Sequence, residues 1–240
     1  KKYYVGGKFV DVNPVIHHDY LNLRLNPKSI QKFIKNSSRK NTIAFQTRNP
    51  IHRAHFELIK RSMDKLNSNI LIHPVVGLTK PGDINYHTRV NCYKMIINHF
   101  PKTKTLLSLI PLAMRMAGPK EALWHAIIRK NYGCTHLIVG RDHAGPGLNS
   151  QGIPFYGPYD AQELVKKYQN EIGIKIIPFK LFVYVEEKND FFEIDNVPKG
   201  CKYKNISGSE LRTLLEDGKE IPEWFTFQDV ATELKKVYPS

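Results

Sequence analysis

An α/β fold built on a parallel sheet is the architecture this sequence predicts, and three observations predict it. Short apolar runs recur along the chain and read as buried strands. Segments with apolar residues spaced for one helix face lie between them. Polar segments rich in Arg, His and Gly follow two of the runs, where such sheets place their ligands, at the carboxyl ends of the strands.

The elements are expected in the following order. Asn26-Pro27 opens a helix over Lys28 to Lys35, with Pro at the first helical position. Thr42-Ile43-Ala44-Phe45 is a buried strand, and Phe56, Ile59, Met63 and Leu66 share one face of the helix after it. Ile70 to Val76 is a strand, and Val90, Tyr93 and Ile97 mark a helix. Thr105 to Ile110 is a strand, Glu121 to Asn131 a helix stopped by Gly133, and His136 to Val139 a strand. Ala161 to Tyr168 is helical and Ile174 to Ile177 extended. Beyond Pro178 the texture changes: Phe179 to Val185 reads as a strand, Glu186 to Tyr203 as irregular, and Ser207 to Leu215 and Asp229 to Val237 as short helices. The expected division is a main domain over 1–178 and a small C-terminal α/β subdomain over 179–240.

Composition narrows the function class. No apolar run approaches the ~20 residues that span a bilayer, and no signal-peptide pattern opens the chain. Cys92, Cys134 and Cys201 are far apart and odd in number. They suit neither a disulfide framework nor a metal knuckle, and a reducing, cytoplasmic compartment is expected. The net charge of +14 is compatible with nucleic acid or with small anions. The lysines are scattered and no aromatic platform interleaves them, so nucleic acid is not expected as a partner. The first residue is Lys1; processing or a fragment is the expectation.

Two segments carry the chemistry. Gln46-Thr47-Arg48-Asn49-Pro50-Ile51-His52-Arg53-Ala54-His55 stands where a strand hands over to a helix. Backbone N–H groups are unpaired there and the helix dipole is positive, which suits an anion. His52 and His55, three apart in the first turn, face the same way. Gly140-Arg141-Asp142-His143-Ala144-Gly145-Pro146-Gly147 follows the strand ending at Val139. Its glycines let backbone approach a ligand, and Arg141 and His143 add donors suited to phosphate. The competing readings are a turn with surface histidines for the first segment and a surface loop for the second. Finding both at strand ends of one sheet edge counts against them.

Together these segments closely resemble those of ATP sulfurylase (sulfate adenylyltransferase). Further stretches resemble that family: Gly77 to Asp83, Pro111 to Met116, Phe155 to Asp160, Asn205 to Arg212 and Ile221 to Phe225. The matches run in order from about Tyr4 to Phe225. The resemblance implies a Rossmann-like parallel sheet of the nucleotidyltransferase type. It also implies conversion of ATP and sulfate into adenylylsulfate and pyrophosphate, by in-line attack of sulfate on the α-phosphorus. Sulfate would lie on Gln46, Arg48 and the Ala144 N–H. ATP would lie against Gln46, Thr47, Asn49, Gly140, Arg141, Asp142 and His143, with a backbone contact near Phe182. Thr47, Arg48, Asn49, His52 and His55 would be catalytic, the histidines steadying the α- and β-phosphates and the leaving pyrophosphate. Mg²⁺ would arrive on the nucleotide phosphates, with no metal cage supplied by protein, and a homo-oligomer is expected.

Such a reaction fits the residue types. Sulfate carries no proton at neutral pH, so no general base is required; the site must position two anions and offset their repulsion. Arg48 offers a planar fork to a tetrahedral anion, and Gln46 donates without adding charge. Ile206-Ser207-Gly208-Ser209-x-x-Arg212 is similar to the second signature of the wider superfamily, but Ser207-Gly208-Ser209-Glu210 also reads as a capping box. Met114 to Gly118 looks like the family's mobile active-site loop, or an ordinary strand-to-helix connection. Asp83 and Asp142 are read as turn residues or as groups that orient basic residues or Mg²⁺-bound water. His17, His18, His73, His87, His99, His125 and His136 have no partner in spacing and are read as structural or surface residues.

Family members usually carry a β-rich domain before the catalytic one, so residues 1–25 are read as the junction to a missing N-terminal domain. No Gly-x-x-x-x-Gly-Lys-Ser/Thr pattern occurs in the sequence. Two other readings are an adenylyltransferase acting on an organic phosphate and a basic nucleic-acid-binding module. The Gln46/Arg48 pair, suited to a small dianion, argues against the first.

Overall fold

The computed structural model describes residues 6–13, 15–79 and 83–237. Tyr4, Lys80, Pro81, Gly82 and the side chain of Ser209, which the sequence reading touched, lie outside the described residues.

The main sheet contains β1 (Asn41–Phe45), β2 (Ser68–Ile72), β3 (Thr105–Leu107), β4 (His136–Val139) and β5 (Lys175–Pro178), all parallel, in the order β3-β2-β1-β4-β5. The order runs outward in one direction from β1 and then in the other from β4. The carboxyl ends of β1 and β4 therefore flank a topological switch point, where open α/β sheets form their ligand crevice. Helices α1 (Pro27–Asn36), α2 (Arg53–Leu66), α3 (Tyr86–Ile96), α4 (Pro119–Asn131) and α5 (Asp160–Ile172) alternate with the strands.

Burial explains the alternation. Successive strand residues face opposite sides. Ile43, Phe45, Ile70 and Ile72 enter one apolar cluster with Phe56, Ile59 and Met63 of α2 and Tyr93 and Ile96 of α3. Ala44, Leu71, Leu137 and Val139 enter the other, with Ile30 of α1, Ala122 and Ala126 of α4 and Val165 of α5. The sheet is covered on both faces, as continuous apolar strands require. Local signals set the helix ends: the Asn26 side chain accepts the Ser29 N–H at 2.9 Å, and Pro27 and Pro119 open α1 and α4.

Beyond the sheet, β6 (Phe182–Val185) pairs antiparallel with β7 (Asp190–Glu193) and β8 (Tyr203–Lys204), followed by α6 (Gly208–Glu216) and α7 (Gln228–Lys235). Three strand expectations are shortened, the run from Thr105 being strand only to Leu107. The run from Ile70 leaves the ladder at Ile72 and returns only as a parallel bridge between Val75 and Ile110, because Pro74 between them has no N–H to give. The run from Phe179 is a strand only from Phe182.

The expectation that 186–203 is irregular is corrected, since the segment contains β7 and the start of β8. Two apolar residues between Asp190 and Glu193 are too few to show an alternation. The expected boundary at 178 falls between β5 and β6, and Leu211, Leu215, Ile221, Phe225, Val230 and Leu234 beyond it share one cluster with β1 and α2. Among the described residues, no helix is long and apolar enough to cross a membrane.

Candidate active site

Gln46, Thr47, Arg48, Asn49, His52 and His55 line one side of a single cleft of about 410 Å³. Gly140, Arg141, Asp142, His143, Ala144 and Phe182 are among the residues that line it elsewhere. The fold thus brings together every residue that the resemblance implied for sulfate, ATP or catalysis. The cleft opens at the carboxyl ends of β1 and β4, the switch point of the sheet.

The β1 side is held rigidly from behind. The Thr47 hydroxyl donates to the Asn49 carbonyl at 2.8 Å and accepts the Asn49 N–H at 3.0 Å. Buried Arg89 donates to the carbonyls of Arg48 at 2.8 Å and Val75 at 3.0 Å. The Tyr93 hydroxyl donates to the Asn49 carbonyl at 2.9 Å. Two helix residues thus set the backbone between Arg48 and Asn49, leaving the Arg48 and Asn49 side chains to the cleft. The Arg48 guanidinium forms an ion pair with the largely buried Asp83 carboxylate, so Asp83 orients a basic residue rather than merely making a turn. The Gln46 amide nitrogen contacts the Met114 sulfur at 3.7 Å, while its oxygen is buried without a partner among the described residues.

His52 precedes α2 and His55 lies in its first turn, ring centroids 3.9 Å apart. Both Nδ1 atoms are buried without a hydrogen bond among the described residues. Burial holds His52 well below its ordinary pKa, helped by His55, and lowers His55 to about 4. Both rings are therefore neutral at pH 7. The Phe225 ring stacks on His52 at 4.8 Å, and the Phe225 carbonyl accepts the Arg53 N–H at 2.8 Å. The segment after α6 therefore fixes the first turn of α2.

Across the cleft, the loop after β4 turns through Asp142 and Ala144, both at positive φ (50° and 55°). The Ala144 carbonyl accepts the Gly118 N–H at 2.9 Å. Gly145 lies beneath the Asp142 carboxylate so closely that a Cβ there would sit 1.8 Å from Oδ1. The 114–118 connection supplies Met114 and Met116 to the cleft wall as it leads into α4. Its backbone is held by Glu121, whose carboxylate accepts the N–H groups of Arg115 at 2.9 Å and Ala117 at 2.8 Å.

Several residues around the site escaped the sequence reading. Arg89, Tyr93 and Glu121 carry helix-face patterns that look like ordinary core or surface. His125 is corrected from an isolated histidine: its Nδ1 lies 3.0 Å from Nε2 of His143. His143 comes from another element and leaves no signal in spacing, whereas Glu121, four residues before His125 on the same helix, stands at helix spacing. Ser207 and Glu210 form the expected capping box, at 3.2 Å and 2.7 Å.

Fold and site together define a Rossmann-like α/β protein with a basic and imidazole-rich cleft at its switch point. The chain belongs to the ATP-sulfurylase family, whose profile matches residues 21–237. It is 52% identical over 239 residues to sulfate adenylyltransferase of Neurospora crassa, covering 100% of this chain and 42% of that protein. It is 52% identical over 236 residues to sulfate adenylyltransferase of Schizosaccharomyces pombe, covering 98% of this chain and 48% of that protein. The chain spans somewhat less than half the length of these curated relatives. A solved structure described as the hexameric APS kinase from Thiobacillus denitrificans superposes with a TM-score of 0.79 at 29% identity. That match covers 94% of this chain and 42% of the other.

Proposed function

We propose that this chain is the catalytic portion of a sulfate adenylyltransferase, joining sulfate to the α-phosphorus of ATP with release of pyrophosphate. The observation that carries this reading is the pairing of Gln46 and Arg48 at the end of β1 with the Gly140–Ala144 loop at the end of β4, in one cleft. One arm suits a small tetrahedral dianion and the other the backbone and phosphates of a nucleotide.

In this reading sulfate lies against Gln46, Arg48 and the Ala144 N–H. Arg48 is already turned by Asp83 and offers its remaining N–H groups to the anion. Since sulfate brings no proton, the site needs position and charge stabilisation rather than a base. Thr47 and Asn49 are locked to each other and hold the nucleotide with Arg141 and Asp142. His52 and His55, neutral in the free protein, donate ring N–H groups to the α- and β-phosphates as charge moves onto the leaving pyrophosphate. A polyphosphate against these rings favours their protonation, which would strengthen the donation.

Mg²⁺ would be carried on nucleotide oxygens, which fits the donor set. Asp83 is engaged by Arg48 and Asp142 packs over Gly145, and no group of three His, Cys, Asp or Glu among the described residues gathers as a cage. When bound, the ion would offset phosphate charge. Residues 1–178 would form the catalytic domain, and 179–240 a subdomain that closes the cleft through Phe182 and braces His52 through Phe225. A cytoplasmic location and self-association complete the proposal.

Pyrophosphate release from MgATP with and without sulfate tests the reading, with selenate or molybdate as tetrahedral mimics. Release that requires the oxyanion supports it; release indifferent to sulfate overturns it.

A further inference from the structure

His143 enters the sequence reading as a donor for phosphate, but its surroundings assign its protons differently. Glu121 and His125 lie one turn apart on the inward face of α4, both buried, with Glu121 Oε1 3.5 Å from His125 Nε2, an electrostatic contact in which Nε2 makes no hydrogen bond among the described residues. Although burial opposes ionisation of Glu121, His125 and the N–H groups of Ala117 and Arg115 outweigh it and hold the carboxyl down to about 2. It is an anion at any working pH. In a dry interior, an imidazole lone pair aimed at that anion would be repelled and an N–H attracted. The proton of His125 therefore sits on Nε2, and its Nδ1 is an acceptor.

His143 Nε2 lies 3.0 Å from that Nδ1 and must supply the hydrogen of the contact. Both rings are neutral: burial lowers His125, and burial, helped by the neighbouring His125 ring and by Arg129, lowers His143 to about 3. A neutral ring holds one N–H, so the remaining nitrogen of His143, Nδ1, is an acceptor. It makes no hydrogen bond among the described residues, and the residue lines the cleft.

We infer that Glu121, acting through His125, fixes His143 as a hydrogen-bond acceptor that selects a donor group on the nucleoside, a ribose hydroxyl or an exocyclic amine, rather than a phosphate oxygen. Glu121 and His125 are positioning residues. Because Glu121 also holds the N–H groups of Arg115 and Ala117, one carboxylate sets both the Met114–Met116 wall and the tautomer opposite it. The inference rests on the reading of the cleft as a nucleotide site.

The test measures binding of MgATP, 2′-deoxyATP, 3′-deoxyATP, purine riboside triphosphate and pyrophosphate by calorimetry, on the full chain and on His143→Ala and Glu121→Gln. The full chain should bind one of the three analogues about tenfold more weakly than ATP, the loss of one hydrogen bond, and that analogue names the donor. His143→Ala should bind ATP and that analogue alike, with pyrophosphate affinity unchanged, and Glu121→Gln should blunt the same discrimination. Equal weakening of pyrophosphate and every nucleotide in His143→Ala overturns the inference, as does a full chain that binds all analogues alike.

Long-range proton–nitrogen spectra of the unsubstituted protein decide independently of whether a variant folds: a proton on Nδ1 of His143 overturns the assignment, and one on Nε2 supports it. Sulfate-dependent pyrophosphate release with uniform analogue binding defeats this inference alone. Nucleotide discrimination without sulfate dependence defeats the functional reading and leaves the tautomer standing. A full chain that binds no nucleotide defeats both.

Discussion

Phe225 lies against His52, its ring stacked at 22° with centroids 4.8 Å apart, and its carbonyl takes the N–H of the next residue, Arg53. A residue 173 positions further along the chain thus sets the orientation of an imidazole in the cleft. Truncation to Ala would open a large cavity at this buried position, at a cost of about 3–5 kcal/mol, and would confuse function with folding. Phe225→Leu keeps most of the apolar volume and removes the aromatic face. It should lower kcat about tenfold through loss of orientation, with KM for sulfate unchanged and a melting temperature only a few degrees lower. Steady-state kinetics beside a thermal melt checks this; unchanged kcat would show that α2 alone orients His52.

Arg48 serves two anions, since Asp83 takes one part of its guanidinium and sulfate is proposed to take another. A lysine carries the same charge as a single compact ammonium. Arg48→Lys should stay paired to Asp83 and fail sulfate, with KM for sulfate rising about 100-fold and ATP binding within about threefold of the parent. Arg48→Ala should abolish turnover while the fold persists. Kinetics with sulfate as the varied substrate, together with ATP binding by calorimetry, separates these outcomes from a general loss of the site.

Acid should destabilise the free protein. His52, His55, His73 and His143 are all held below 6.5, chiefly by burial, with His55 at about 4 and His143 at about 3. Between those values and 6.5 the unfolded chain binds more protons than the folded one, so stability rises with pH across that window. The contribution is complete above 6.5 and is lost as pH falls. The melting temperature should drop by about 5 °C or more between pH 6.5 and pH 5, and His55→Gln should reduce the slope. A flat melting curve over that range would show that these rings accept protons in the folded state.

What the sequence made legible was local. β1 and β4 are short apolar runs whose neighbours in sequence are also their neighbours in the cleft, so the sequence alone places both motifs at one edge. The small sheet was not legible, because β7 has two apolar residues and β8 spans only Tyr203–Lys204. Nor was the support behind the site: Phe225 reaches His52, and Glu121 reaches His143 through His125, from separate elements. Such contacts leave no periodicity, since each partner satisfies its own helix or turn in the ordinary way.

Gly145 tests whether the shape of the second loop, rather than its side chains alone, makes the nucleotide site. A methyl group there would meet Asp142 Oδ1 at 1.8 Å and Cγ at 2.5 Å, a clash that only displacement of the carboxylate or the loop can relieve. The loop resists displacement because the Asp142 N–H is bonded to the Pro158 carbonyl at 2.7 Å and the Ala144 carbonyl holds Gly118. Gly145→Ala should therefore raise KM for ATP about 10- to 100-fold, in line with small misplacements at a binding site, and leave the buried core and the melting temperature almost unchanged. Removing the obstacle distinguishes the causes. Asp142 already sits at positive φ, which glycine adopts without strain, so Gly145→Ala combined with Asp142→Gly should relieve the clash. If loop shape is what matters, the double variant recovers most of the ATP affinity. If the Asp142 carboxylate itself holds the nucleotide, affinity stays low in the double variant and in Asp142→Gly alone.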